Sequence, residues 1–175
     1  MSAIALLRSR TAAAHEMVDA AFGSHDLTDA GSYAAFLRAH ARALPLAEAR
    51  AAAVWPALRR RMPLLAADLA MLDTAPPLPA SEAADVGTPA AWGALYVVEG
   101  SRLGGGMLAK MVGADLPQAY LGATHLPGEW RLIRQAIDAA AAHQDEVWHA
   151  AMVDGALDTF ALYDAAARAE RAPAS

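Results

Sequence analysis

The stretch from Trp92 to Lys110, WGALYVVEGSRLGGGMLAK, constrains this chain more than any other. Gly100, Gly104, Gly105 and Gly106 stand where a helix would favour alanine, and each costs about 0.8–1 kcal/mol if the helix continues through it. The chain is otherwise rich in alanine, a better helix former. Two readings are open at this point. The glycines belong to a loop between core elements, or the backbone there must bend or approach something closely. Phosphate binding is disfavoured, because no Gly-Lys-Ser/Thr follows and the spacing is not that of a dinucleotide turn.

At 175 residues the chain has the size of one domain, residues 1–175. Hydrophobic residues make up 56% and aromatic residues only 6%, the excess being alanine, which favours close-packed helices over sheets. No run approaches the roughly 18 apolar residues of a membrane span, so no membrane association is expected. The opening segment places its apolar patch ahead of its arginines, the reverse of a secretory signal, which points to the cytoplasm. The absence of cysteine removes disulfides, thiolate metal sites and cysteine nucleophiles together. A net charge of −5 argues against nucleic-acid partners.

Along the chain, Leu7, Thr11, His15, Val18 and Phe22 repeat at helical spacing, predicting a helix from Ala3 to about Phe22 with His15 facing inward among apolar neighbours. Gly23 ends it. Gly31-Ser32 begins another, with Ser32 as the expected N-cap. Pro45 should kink or break that helix. Helical character resumes over Ala47–Trp55 and again over Pro56–Leu72, with a bend at Pro63 and Arg59-Arg60-Arg61 as a solvated helical turn or, alternatively, a dock for an acidic protein partner. His25 and His40 have no distinguishing context. Asp73–Pro89 reads as a surface crossover. Thr88-Pro89 places a capping residue ahead of an N1 proline, so the glycine stretch is assigned to a helix rather than a strand. A loop punctuated by Pro117, Gly122, Pro127 and Gly128 follows. Helices over Glu129–Ala142 and Asp145–Arg168 complete an all-α bundle, with Gly155 a weak point in the last.

Two of these segments resemble one family. LRSRTAAAHEMVDAAF, with Leu7-Arg8, Thr11 and His15, resembles the proximal helix of heme oxygenases, and LYVVEGSRLGGGMLAK resembles their distal helix, particularly in the bacterial branch. The resemblance implies a single-domain, heme-oxygenase-like multi-helix bundle. It implies that His15 ligates heme iron, that Gly100, Gly104 and Gly105 are the distal glycines, and that heme is both cofactor and substrate. The implied reaction uses O2 and external electrons, supplied by a ferredoxin, flavodoxin or reductase, to form biliverdin, CO and ferrous iron. Many members carry an aspartate just after the first distal glycine. Here Ser101 stands there, so proton delivery should use a different water network or run more slowly. Arg8, together with Thr11 on the same helix, and Arg131 or Arg134 further on are candidates to hold the two propionates, since a guanidinium matches carboxylate geometry bidentately.

Three rival readings remain. One is a non-enzymatic protein that holds heme or a bilin without turnover. Another is a heme-free bundle enzyme acting on thiamine-like compounds, which the lack of cysteine disfavours. The third is a plain interaction bundle, which leaves the paired motifs unexplained.

Overall fold

In the computed structural model, which describes residues 1–79 and 87–171, six helices account for the regular structure. They are α1 (Ala3–Phe22), α2 (Ala30–Val54), α3 (Met62–Met71), α4 (Thr88–Ala109), α5 (Glu129–Ala141) and α6 (Glu146–Ala169). No strand occurs among the described residues.

Helix starts follow side-chain chemistry. Ser2 caps α1 by accepting from the Ala5 amide, and Asp145 caps α6 by accepting from the Trp148 amide. Asp29, rather than Ser32, caps α2: its carboxylate accepts the Ser32 amide at 2.8 Å, so the helix begins earlier than Gly31-Ser32 suggests. For α4 the cap position is Gly87, and Thr88-Pro89 lie within the first turn.

Two proline expectations need correction. Pro45 sits inside α2 without ending it, because packing on both sides holds a helix whose residues Ala43, Leu44, Leu46 and Ala47 are all buried. Pro56–Leu72 is not one bent helix. Residues 55–61 form an irregular connection, and Pro63 lies in the first turn of α3, where its missing amide costs nothing. Of the crossover expected at Asp73–Pro89, residues 80–86 lie outside the described residues.

Helix α4 is central, packing against α2 and α6, while α1 packs on α6. The α4–α6 crossing is made by two glycines. A Cβ on Gly93 would stand 2.0 Å from the Met152 carbonyl oxygen, and one on Gly155 would stand 2.3 Å from that of Ala90. Gly155 is therefore not a weak point in α6 but the residue that lets the two backbones touch. This close crossing leaves the opposite end of α4 free to stand away from α1, and a cavity opens between them.

Candidate functional site

The cavity has a volume of about 560 Å³ and lies between α1 and the glycine-bearing half of α4. That size is in the range of small-molecule pockets. One wall is a helical row on α1, namely Arg8, Thr11, His15 and Phe22, which the three-and-four spacing places on one face. The facing wall is the corresponding row on α4, with Tyr96, Gly100, Ser101, Gly104, Gly105 and Leu108. Phe36, Phe160, Tyr163 and Trp130 complete apolar sides from α2, α6 and α5.

His15 projects into this space. Its side chain is 60% exposed, so it is not packed among core residues as the periodicity implied; it stands on the cavity wall, 5.7 Å from the Phe160 ring centroid. Asp19, one turn on, lies 3.6 Å from its Nδ1. A carboxylate on that side favours the tautomer with hydrogen on Nδ1 and leaves Nε2 as a lone-pair donor.

The four glycines divide by direction. A Cβ on Gly100 or Gly104 would meet no atom within 4 Å, whereas one on Gly105 would lie 3.3 Å from the Leu121 carbonyl and one on Gly106 2.8 Å from the Thr124 methyl. The first pair, one turn apart, keeps the α4 surface flat over open space. The second pair admits the 120–124 loop. The helix itself is unbroken, so α4 is neither a loop nor interrupted at the glycines.

Arg8, Thr11 and Tyr96 gather at one edge. Burial raises the pKa of the Tyr96 phenol, while Arg8 and a hydrogen bond with Thr11 oppose that shift. Thr11 also returns a hydrogen bond to the Leu7 carbonyl at 2.8 Å, which fixes its rotamer. Arg131 and Arg134 are not brought to the cavity. Both are exposed on α5, and the Arg134 guanidinium lies 5.8 Å from the Trp130 ring centroid, while Trp130 itself faces the site.

Arg61 is the residue whose expected role changes most. Only 2% exposed, it is not part of a solvated helical turn: the irregular 55–61 segment turns it under α4. Its Nη2 donates to the Val98 carbonyl at 2.9 Å and to the Ser101 hydroxyl oxygen at 2.8 Å, while Ser101 donates to Val98 at 2.7 Å. Ser101 thus has its hydrogen engaged and one arginine donor already upon it. Arg59 pairs with Glu129 at 2.6 Å. His40, half-buried and packed against Phe22 and Phe36, meets the Tyr120 hydroxyl at 2.8 Å through Nδ1 and also lines the cavity. His40 had no distinguishing context in the sequence. Arg61 had none, since a three-arginine run looks like surface.

Behind α4, Glu99 and Arg102 form a buried pair at 3.0 Å, joined by His125 at 2.9 Å. Arg102 further donates to the carbonyls of Ala123 and Arg59. This network ties two irregular segments to the back of the glycine helix and holds its cavity face in place. Among the described residues no cluster of three or more histidine or acidic side chains could hold a metal ion, and no helix is long and apolar enough to cross a membrane.

No family model matches the chain. A curated relative, heme oxygenase of Xanthomonas campestris pv. campestris (strain 8004), is 35% identical over 167 residues, covering 83% of this chain and 94% of the relative. Among solved structures, the NO- and CO-bound heme oxygenase from Neisseria meningitidis aligns with a TM-score of 0.79 at 24% identity, over 97% of this chain and 92% of that one. The structural match carries the six-helix architecture and the sequence match carries the kinship; the chain belongs to the heme oxygenase family.

Proposed function

We propose that the chain's heme oxygenase activity is carried out in the α1–α4 cavity, where His15 would hold the heme iron and the Gly100–Gly104 surface would leave room for the group across the space. The observation that carries this reading is the pairing of a cavity-facing imidazole with a flat, side-chain-free helical surface across a space of about 560 Å³. The residues fit a flat, largely apolar group with anionic edges: Phe160 and Leu108 offer apolar contact, and Arg8 with Thr11 and Tyr96 offers a cationic and hydrogen-bonding rim. Arg8 is the propionate partner we favour; Arg131 and Arg134 could serve only by reaching over the rim from α5. Heme, when bound, supplies the iron and the macrocycle on which the family's oxidative ring opening to biliverdin, CO and ferrous iron takes place.

The protein's own share follows from its geometry. Asp19, 3.6 Å from His15 Nδ1, favours the tautomer that leaves Nε2 as the lone-pair donor. Gly100 and Gly104 leave room directly against backbone, and Gly105 brings the Leu121 loop close enough to close one side. Ser101 is held by Arg61 rather than free to rotate, so it can accept one further hydrogen bond but has no proton to give without breaking its bond to Val98. Oxygen and electrons come from outside, the latter from a ferredoxin, flavodoxin or reductase in the cytoplasm.

The test is heme binding followed by turnover. Wild-type protein should show a Soret band and, with a reductant under air, yield biliverdin. In His15→Ala the axial imidazole signature should vanish at unchanged helical content and return with added imidazole. A variant whose heme spectrum matches wild type would place the ligand at another of the six histidines.

A further inference from the structure

We propose that Asp68, on α3 and outside the cavity, is a positioning residue for the heme site: it fixes the segment 117–121, and through that segment the wall formed by Tyr120 and Leu121. The inference rests on the α1–α4 cavity being that site, and its first test needs no heme.

A carboxylate is out of place where Asp68 stands. The other buried residues of α3 are Leu65 and Leu69, and Asp68 beside them is only 1% exposed. It forms no ion pair among the described residues. A buried charge of this kind is costly unless hydrogen bonds meet it. Here they do: Oδ1 accepts the Ala119 amide at 3.2 Å and Oδ2 accepts the Tyr120 amide at 2.8 Å. Neither amide has another acceptor among the described residues. Two oxygens on two successive amides fix the direction of the backbone there. A leucine offers no acceptor, and a carboxamide has only one oxygen for the pair. From α2 the Tyr33 hydroxyl donates to the Pro117 carbonyl at 2.8 Å, so the segment is held from two helices.

The segment carries that placement into the cavity, which Tyr120 and Leu121 both line while Asp68 does not. The Tyr120 hydroxyl meets His40 Nδ1 at 2.8 Å, and its ring centroid lies 5.3 Å from the Arg61 guanidinium, within cation–π reach. Arg61 in turn donates to the Ser101 hydroxyl at 2.8 Å. One residue on, the Leu121 carbonyl oxygen comes within 3.3 Å of where a Cβ on Gly105 would stand. A side chain on α3 thereby sets contacts to α2 and to the glycine face of α4, although it bonds to neither helix.

The test reads the wall in folded protein, beginning with nitrogen NMR of the histidine side chains in the heme-free chain. Desolvation holds the His40 pKa down at about 3, so near neutral pH its signals report hydrogen bonding and not protonation. Asp68→Asn should move the His40 Nδ1 signal most of the way to its position in Tyr120→Phe, where the bond is absent. Should Asp68→Asn fail to fold, Tyr33→Phe releases only the Pro117 carbonyl and should move the same signal in the same direction by less. In hemin-loaded protein, reduced and saturated with CO, Asp68→Asn should shift or broaden the C–O stretch relative to wild type. Tyr120→Phe, which keeps the ring beside Arg61, should change that stretch less. A variant that melts lower yet keeps the wild-type His40 signal would reduce Asp68 to a scaffold residue and overturn the proposal. A moved His40 signal with an unchanged C–O stretch would overturn it as well, since the wall would then not belong to the heme site. Wild-type protein that takes up no hemin would instead break the reading of the cavity, a result on which the His40 signal does not depend.

Discussion

Helix α4 carries glycines at both ends, and the two sets exist for opposite reasons. At Gly93 the missing side chain is required by what is present: the α6 backbone occupies the place of a Cβ, at 2.0 Å from the Met152 carbonyl oxygen. At Gly100 and Gly104 nothing lies within 4 Å of that place. One set makes contact and the other preserves a space. A glycine in a helix always costs propensity, so its benefit must be found outside the helix. Here the benefit is close packing in the first half and an open face in the second. The two are linked, because the tight α4–α6 crossing anchors the helix whose far half borders the cavity.

The contrast is most sharply tested where it predicts opposite signs. Gly93→Ala, and likewise Gly155→Ala, forces two backbones apart and should destabilise the fold by about 3 kcal/mol or more, the upper end for overpacking. Thermal or denaturant unfolding of the heme-free protein reads this directly. A loss below about 1 kcal/mol would mean the crossing yields easily and is not the anchor described.

Next in size is the back of the cavity half. Arg102→Met leaves the 1%-exposed Glu99 without its arginine and releases the carbonyls of Ala123 and Arg59. Breaking one partner of such a buried pair typically costs about 3 kcal/mol. Because this network holds α4 in place, hemin affinity should fall along with stability. Loss of stability with unchanged hemin affinity would separate the scaffold from the face it carries.

A smaller change should go the other way. Gly100→Ala and Gly104→Ala meet no neighbour and should stabilise the heme-free protein by up to about 1 kcal/mol. The same methyl groups enter the proposed heme space, so biliverdin formation should decline even as the melting temperature rises. Unimpaired turnover in both variants would show that the open face is not used.

The smallest effect is pH-dependent and concerns the tie that places α5 beside the site. The hydrogen bond from Arg59 is the main cause holding the Glu129 pKa down at about 2, against 4.5 for a free glutamate. A depressed carboxylate pKa stabilises the fold above its unfolded value, and that stability drains away as pH falls from 4.5 toward 2. The pair is partly exposed, with Arg59 at 38%, so its worth is about 1 kcal/mol at neutral pH. Glu129→Gln should lose that amount near pH 7 and show a flatter stability profile below pH 4.5. An unchanged profile would mean solvent already screens the pair.

How much could be read beforehand depended on whether the cause was local. The helices from Ala3 to Phe22, Glu129 to Ala141 and Glu146 to Ala169 were visible because apolar spacing and capping residues are properties of neighbouring positions. The cavity rows were partly visible for the same reason, since Arg8, Thr11 and His15 share a helical face by spacing alone. Of the kink or break expected at Pro45, the break does not occur, because a local rule met a tertiary override: buried contacts on α2 hold a helix that proline by itself would end.

What the sequence alone determined, then, was an all-α chain with an imidazole on one helix and a glycine-broken propensity on another, together with the family those two segments resemble. The tertiary structure decided what each glycine faces, that Arg131 and Arg134 stand outside the cavity, and that Arg61 and His40 stand at its wall. Direction across space has no signature in a one-dimensional string. Arg59, Arg60 and Arg61 read alike in sequence, yet one pairs with Glu129, one is exposed, and one is buried against Ser101. Only the irregular connection between α2 and α3 turns them to three different surroundings, and its path is set by packing rather than by propensity.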